Sequence, residues 1–171
     1  LVISNGGNIG SASDTDAISI ASNGQVTISN LTGIPVFKAQ LSSSQSTTSG
    51  VETKLALSDE LFDTHNFFDA TTNYRFQPTI AGYYKFDATV FVDGAPSRFF
   101  LAFYKNASKV NQGGTDFDGN YYSNGVVGST IIQLNGSSDY VELYASQSAA
   151  TGFYQSSTFK SYLTGYLISG T

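Results

Sequence analysis

From Ile34 to the C-terminus, apolar and polar positions alternate in short runs. Val36-Phe37-Lys38-Ala39-Gln40-Leu41 alternates cleanly, and Tyr83 to Val92 keeps the same period over a longer stretch. Phe99 to Lys105, Val126 to Leu134, Tyr140 to Ala145 and Ser157 to Ile168 read as further strands. A period of two puts successive side chains on opposite faces of an extended chain. Between the runs lie turn formers: the polar stretch Ser42 to Gly50, Ala81-Gly82, Asp93-Gly94-Ala95-Pro96, Asn106-Ala107-Ser108, and a Gly/Asp/Asn loop before Val126. No helical period competes. Many short strands at regular turn spacing predict an all-β sandwich or barrel. No apolar run approaches the roughly 20 residues of a membrane helix, so no membrane insertion is expected.

Residues Leu1 to about Thr32 follow another regime, without aromatics and rich in small polar residues. Ala17-Ile18-Ser19-Ile20 and Gln25-Val26-Thr27-Ile28-Ser29 alternate across Ala21-Ser22-Asn23-Gly24, and alternation across Asn-Gly predicts a hairpin. Ser4-Asn5-Gly6 recurs as Ser22-Asn23-Gly24, a faint repeat. So thin a hairpin cannot bury a core alone; three such segments wound together would supply the cover. An ordinary N-terminal arm is the other reading. Pro35 marks the change of regime, giving a β-rich shaft or linker over residues 1–33 and a globular domain over 34–171.

Phe76, five residues, then Gly82-Tyr83-Tyr84-Lys85-Phe86 resembles the signature of the C1q domain family. Other pieces follow in family order. Phe37-x-Ala39 is similar to the first strand, and Phe103-Tyr104-Lys105-Asn106 resembles an aromatic-Lys-Asn-Gly hairpin. Ile132-Gln133-Leu134 with Asp139-Tyr140-Val141-Glu142-Leu143 resembles the next strand pair, and Ser157-Thr158-Phe159 through Gly165-Tyr166-Leu167 resembles the closing strand. The chain departs from the pattern at Ala88 and Leu57, where the family has aromatics, at Ala107 in place of Gly, and in a longer gap between Phe68 and Phe76. Swaps among buried apolar positions preserve a fold. The resemblance implies a ten-stranded C1q/TNF-like jelly roll that forms homotrimers. Phe37, Phe76, Tyr84, Phe86, Phe103, Leu143, Phe159 and Leu167 would then lie in the core or between subunits. The segment from Asn8 through Ile28 looks like the shaft-proximal pieces of bacteriophage tail-fibre and other virion fibre proteins. A collagen stalk, with Gly at every third position, does not occur in the sequence.

Composition narrows the function. Only 12% of residues are charged, against about 25% in ordinary soluble domains; hydroxyls and amides wet this surface instead, as in extracellular assemblies. Eight basic against 13 acidic residues, for a net charge of −5, argue against nucleic acid and anionic membranes as partners. With no cysteine there is no disulfide framework and no Cys-based metal or redox site. Lacking methionine, the chain is expected to be a mature product or a fragment of something longer.

Catalytic signals are sparse. His65 is the sole histidine, set in Asp63-Thr64-His65-Asn66-Phe67, and no Gly-x-Ser-x-Gly elbow occurs. Asp116 and Asp118, around Gly119-Asn120, are oxygen donors of the type calcium takes, without EF-hand spacing or a closing Glu; a polar turn is the plainer reading. As paired carboxylates they lack the separated partner that glycan hydrolysis requires. Tyr121-Tyr122 and Phe153-Tyr154 are candidate receptor contacts, because exposed aromatics suit stacking on sugars or gripping a protein; packed inward they would be core. Arg98 is a candidate anchor or a solvated charge. Sequons occur at Asn30, Asn106 and Asn135, a number that chance explains in so Asn- and Ser-rich a chain. The expectation is a non-enzymatic, trimeric receptor-binding knob of a virion fibre, needing no cofactor. It would recognise a host-surface glycan or protein and meet other virion proteins through its N-terminal side. A secreted C1q-like recognition or signalling protein is the alternative.

Overall fold

A computed structural model describes residues 8–11, 14–28, 33–93, 96–116, 123–148 and 159–171. Asp118, Tyr121, Tyr122, Phe153, Tyr154 and Asn30, and Gly94-Ala95 of the turn expected before Pro96, lie outside the described residues. The chain divides into two units, Leu1–Ile34 and Pro35–Thr171.

The first unit is an antiparallel sheet of β1 (Asn8–Ser11), β2 (Asp14–Ile20) and β3 (Val26–Ile28), in that order. Its β2–β3 turn forms where the Asn-Gly pair predicts one. The Gly24 N–H donates to the Ala21 carbonyl at 2.9 Å, Asn23 Oδ1 accepts from the Gln25 N–H at 3.0 Å, and Gly24 has φ of 84°, which glycine adopts without a steric penalty.

The second unit holds β4 (Val36–Gln40), β5 (Thr53–Lys54), β6 (Asp59–Asp63), β7 (Phe68–Asp69), β8 (Arg75–Phe76), β9 (Gly82–Asp93), β10 (Arg98–Lys105), β11 (Ser108–Asp116), β12 (Ser123–Leu134), β13 (Val141–Gln147) and β14 (Tyr162–Gly170). One sheet runs β12-β9-β14-β4-β6. The other runs β11-β10-β13-β8-β7, with β5 also paired to β13. All pairings are antiparallel, and the two sheets form a jelly-roll sandwich. Among the described residues this unit has eleven strands, three of them two residues long.

Several strand expectations change; β12 starts at Ser123 rather than Val126, and β6 stands where no strand was expected. β11 lies where glycines and polar residues read as a loop; it is an edge strand with β10 as its partner, and it gains its order from that pairing rather than from apolar side chains. The last strand starts at Tyr162, after Phe159 to Ser161; Ser157 and Thr158, where it was expected to begin, lie outside the described residues. Just before it, Ser161 turns its hydroxyl onto Phe91, accepting from that residue's N–H at 3.0 Å.

Aromatic rings fill one half of the space between the sheets. Phe37 of β4 stacks on Phe76 of β8 at 4.5 Å and on Phe68 of β7 at 5.2 Å. Phe86 and Tyr84 meet Phe76 edge-on at 5.7 and 5.3 Å. Tyr84, though buried, donates its hydroxyl to the Ile80 carbonyl at 2.9 Å, and burial pushes its phenol up to about 12. Gly165 of β14 stands opposite both Phe37 and Phe86, and a Cβ there would come within 2.9 Å of both rings. Glycine at this position is what lets the rings enter. Leu57 and Ala88, two of the departures from the family pattern, are buried and simply smaller. The third, Ala107, holds φ of 62° beside Asn106 at 50°, a turn geometry glycine would take more easily. Phe37, Phe76, Tyr84, Phe86, Phe103 and Leu143 are all buried, whereas Leu167 is partly buried against the core. Phe159 is 40% exposed and lies against Phe91 at 5.3 Å, on the surface of the chain rather than in its core.

Removing the central ring should be costly. Phe76→Ala is expected to destabilise by about 3–5 kcal/mol, lowering the melting temperature by about 2–4 °C per kcal/mol for a chain of this length. Thermal and denaturant unfolding check this; a loss below about 1 kcal/mol would mean the cavity collapses and the stack is not central.

Candidate functional site

The strand register gives the jelly roll two distinct ends. Asp93, the last residue of β9, stands opposite Ser123, and Gly82, its first, stands opposite Leu134. In the other sheet Arg98 stands opposite Asp116, and Phe99 opposite Gln147. Residues 94–97 join β9 to β10, so these strand ends gather at one end of the sandwich. Twelve strand residues separate that end from the other, a span of roughly 36 Å. The chain enters and leaves at the far end: the Pro35 carbonyl accepts from the Leu167 N–H at 3.0 Å, and the Thr171 N–H donates to the Ala81 carbonyl at 3.3 Å.

Ser148 organises the loop end. Its N–H donates to the Arg98 carbonyl and its hydroxyl accepts from the Arg98 N–H, both at 3.0 Å, and its hydroxyl also shares a hydrogen bond with that of Ser97 at 3.0 Å. The Ser49 hydroxyl donates to the Ser148 carbonyl at 2.5 Å, and the Gly50 N–H donates to Gln147 at 2.8 Å. The long Ser42–Gly50 loop is thereby pinned to this end. Arg98 is exposed, its guanidinium 5.8 Å from the Phe100 ring.

Of the candidate residues, Arg98 and Asp116 are brought together, on neighbouring strands in register. Tyr121, Tyr122 and Asp118 belong to the segment bounded by Asp116 and Ser123, and Phe153 and Tyr154 to the segment bounded by Ser148 and Phe159. Asp116, Ser123 and Ser148 all stand at the loop end. Among the described residues no group of three or more His, Cys, Asp or Glu could hold a metal ion.

The titrating groups with displaced pKa values do structural work elsewhere. Asp69 accepts backbone N–H bonds from Thr72 and Thr71, both at 2.9 Å, and from the Asn73 side chain at 2.7 Å, which hold its carboxyl well below the usual range. Asp139, at the chain-entry end, is lowered by Lys105 first and by the Asn106 amide, which donates to it at 2.7 Å. The Glu52 carboxylate holds Tyr104 in a hydrogen bond that pushes the phenol up to about 12. His65 Nδ1 meets the Thr64 hydroxyl at 2.8 Å, while the Asp63 carboxylate accepts from the backbone N–H groups of His65 and Phe68. Asn106 and Asn135, both in sequons, use their side-chain amides to build turns within the fold.

The outer face of the five-stranded sheet is apolar at both edges, a feature that the strand pattern did not single out. Val127 is 70% and Ile131 58% exposed on β12, while Leu61 and Phe62 are exposed on β6. Tyr83, Tyr166 and Ile168 are also exposed. Between the edges, charged side chains stand among these: Lys85 pairs with Asp87 at 3.3 Å, and the Lys38 ammonium sits 4.4 Å over the Tyr162 ring. The signal was in the doubled apolar residues Val126-Val127, Ile131-Ile132 and Tyr83-Tyr84. A half-exposed strand alternates, but a strand covered on both faces is apolar at consecutive positions.

No protein-family model matches the chain, and no curated protein matches it in sequence. Solved structures do share its fold. The globular domain of zebrafish complement 1qA protein superposes with a TM-score of 0.64 at 17% identity, covering 81% of this chain and 100% of that one. Murine APRIL gives 0.63 at 8% identity over 80% of this chain and 100% of its own. Eiger TNF from S. frugiperda gives 0.59 at 10% identity, covering 81% and 93%. The jelly roll is therefore of the C1q/TNF kind.

The lowered pKa values fix the sign of the acid response. Asp69 and Asp139 bind protons less readily folded than unfolded, so the stability they contribute is present above the ordinary Asp value of about 3.9 and is lost as pH falls through their folded values. Melting temperature should be level near neutral pH and fall below about pH 4. Asp69→Asn should cost about 1.5–3 kcal/mol at neutral pH, through loss of charged hydrogen bonds, and flatten the acid limb. Thermal unfolding across pH checks this, and an unchanged acid limb in the variant would contradict it.

Proposed function

We propose that the chain is a homotrimeric recognition knob on a virion fibre, and that it presents its loop end to a host-surface glycan or protein. The observation that carries this reading is the apolar outer face of the five-stranded sheet. Its two exposed patches, Val127 with Ile131 on one side and Phe62 on the other, lie on opposite edge strands. Different patches that meet head to tail generate a ring when the rotation closes. Association about a threefold axis would cover both patches and leave the loop ends pointing the same way, away from where the three chains enter. In this reading Arg98, Tyr121, Tyr122, Phe153 and Tyr154 contact the receptor, and three weak sites gain strength through avidity. The work is binding rather than catalysis. Other virion proteins would be met through the N-terminal unit.

A second reading is a secreted recognition or signalling protein. The fold shared with a complement 1qA globular domain and with TNF-family proteins favours it. The receptor separates the two.

The test is binding of the labelled full chain to a panel of bacterial cells and purified surface polysaccharides. It is run with and without calcium, because Asp116 and Asp118 supply the oxygen ligands such an ion would take. The expected result is saturable binding to a narrow set of strains, weakened by Tyr121→Ala with Tyr122→Ala. Val127→Asp with Ile131→Asp should give a folded monomer whose apparent affinity is lower by about 10²–10⁴. A folded trimer that binds no cell and no polysaccharide would contradict the virion reading, and saturable binding to animal cells alone would favour the secreted one.

A further inference from the structure

The outer face of the β11-β10-β13 sheet carries a pair of tyrosines that the core does not use. The core takes Leu101 and Phe103 from β10 and Val141 and Leu143 from β13, so alternation turns Tyr104, Glu142 and Tyr144 the other way. The two tyrosine rings lie 4.1 Å apart, and both are partly exposed. The register surrounds them with charge. Lys109 and Glu142 stand on either side of Tyr104, and Lys54 stands beside Tyr144. A bulge beside Tyr104 sets Lys109 in that place. Glu52 reaches in from the segment before β5 and accepts from the Tyr104 hydroxyl and the Lys109 ammonium. The Lys54 ammonium donates to Glu142 at 3.0 Å. Gln45 fixes this segment, donating to the Lys54 carbonyl at 2.7 Å and accepting from the Ala56 N–H at 2.8 Å.

We infer that the Tyr104–Tyr144 pair is a platform for a neutral saccharide. Only 12% of the chain is charged, yet four charged side chains stand around these two rings. Two are carboxylates, which only accept, and two are ammoniums, which only donate. The patch therefore offers both polarities and no net charge. That suits hydroxyls, which donate and accept, whereas a charged polymer would be repelled by half of these groups. The rings add apolar area beside a polar tip, against which the C–H face of a sugar ring can lie. Centres of protein interfaces are depleted in Lys and Glu, which disfavours a protein here. The proposed trimer covers the outer face of the other sheet and leaves this one to solvent. The inference rests on the glycan reading of the receptor, and adds a contact away from the loop end.

The test is titration of the full-length chain with an array of short neutral and acidic oligosaccharides. The expected result is saturable binding of neutral members, with no tighter binding of acidic ones. Tyr144→Ala should weaken that binding by about 10-fold or more, and Tyr144→Phe, which keeps the ring, by much less. Lys109→Ala, at an exposed position, should weaken it several-fold and carries the test if Tyr144→Ala does not fold. Neutral saccharides bound equally well by the folded variants would overturn this inference and leave the knob reading standing. So would binding of acidic members alone. Saturable binding to cells with no oligosaccharide bound would overturn it too, leaving a knob with a protein receptor. Binding to neither cells nor oligosaccharides would overturn both.

Discussion

The ring of Phe37 lies flat on that of Phe76, 4.5 Å away, and this contact ties the middle of one sheet to the far sheet. Phe68, Phe86, Tyr84 and Phe67 gather round the pair, each within 6.4 Å of another ring of the group. Stacked and edge-on rings contribute beyond the area they bury. The arrangement also dictates chemistry at a distance, because two rings from adjacent strands can enter only where β14 has no side chain at Gly165. Strand order, the glycine in the closing strand and the placement of β7 and β8 all follow from fitting these rings between two sheets.

The interior is filled by aromatics and by Leu101, Leu134 and Leu143, and the alternation of β12 turns its other apolar side chains outward. Val127 and Ile131 stand outward on a strand whose inner positions, Val126, Ile132 and Leu134, are already buried. Exposed single apolar residues are ordinary, but large contiguous patches mark interaction sites. A sheet apolar on both faces is the physical basis of the proposed trimer. The charged side chains between its edges, with Lys85 paired to Asp87 and Lys38 held over Tyr162, would set the register of association more than its strength.

Much of the jelly roll was legible in the sequence, because period-two alternation is strong wherever one face is buried. β9 and β10 differ from the expected runs by a residue or so at their ends, and the Asn106-Ala107 turn forms where it was expected. The reading failed where alternation carries no signal. β11 is held by backbone pairing to β10, and its glycines and polar residues look like loop. β12 is apolar at consecutive positions, and so reads as a strand without announcing that both its faces want cover. For the candidate site, sequence supplied residue types, and the register supplied their placement. Arg98 and Asp116, 18 positions apart in sequence, become cross-strand neighbours, and Ser148, a residue that the pattern gave no reason to notice, pins the loop end together.

The central claim is that the outer face of the five-stranded sheet is an interface between copies of this chain. Sedimentation equilibrium of the native full-length chain at micromolar concentration tests it most directly. The account expects a mass three times that of the chain, holding as the protein is diluted. A mass equal to one chain at the same concentration, from protein shown to be folded, would contradict it.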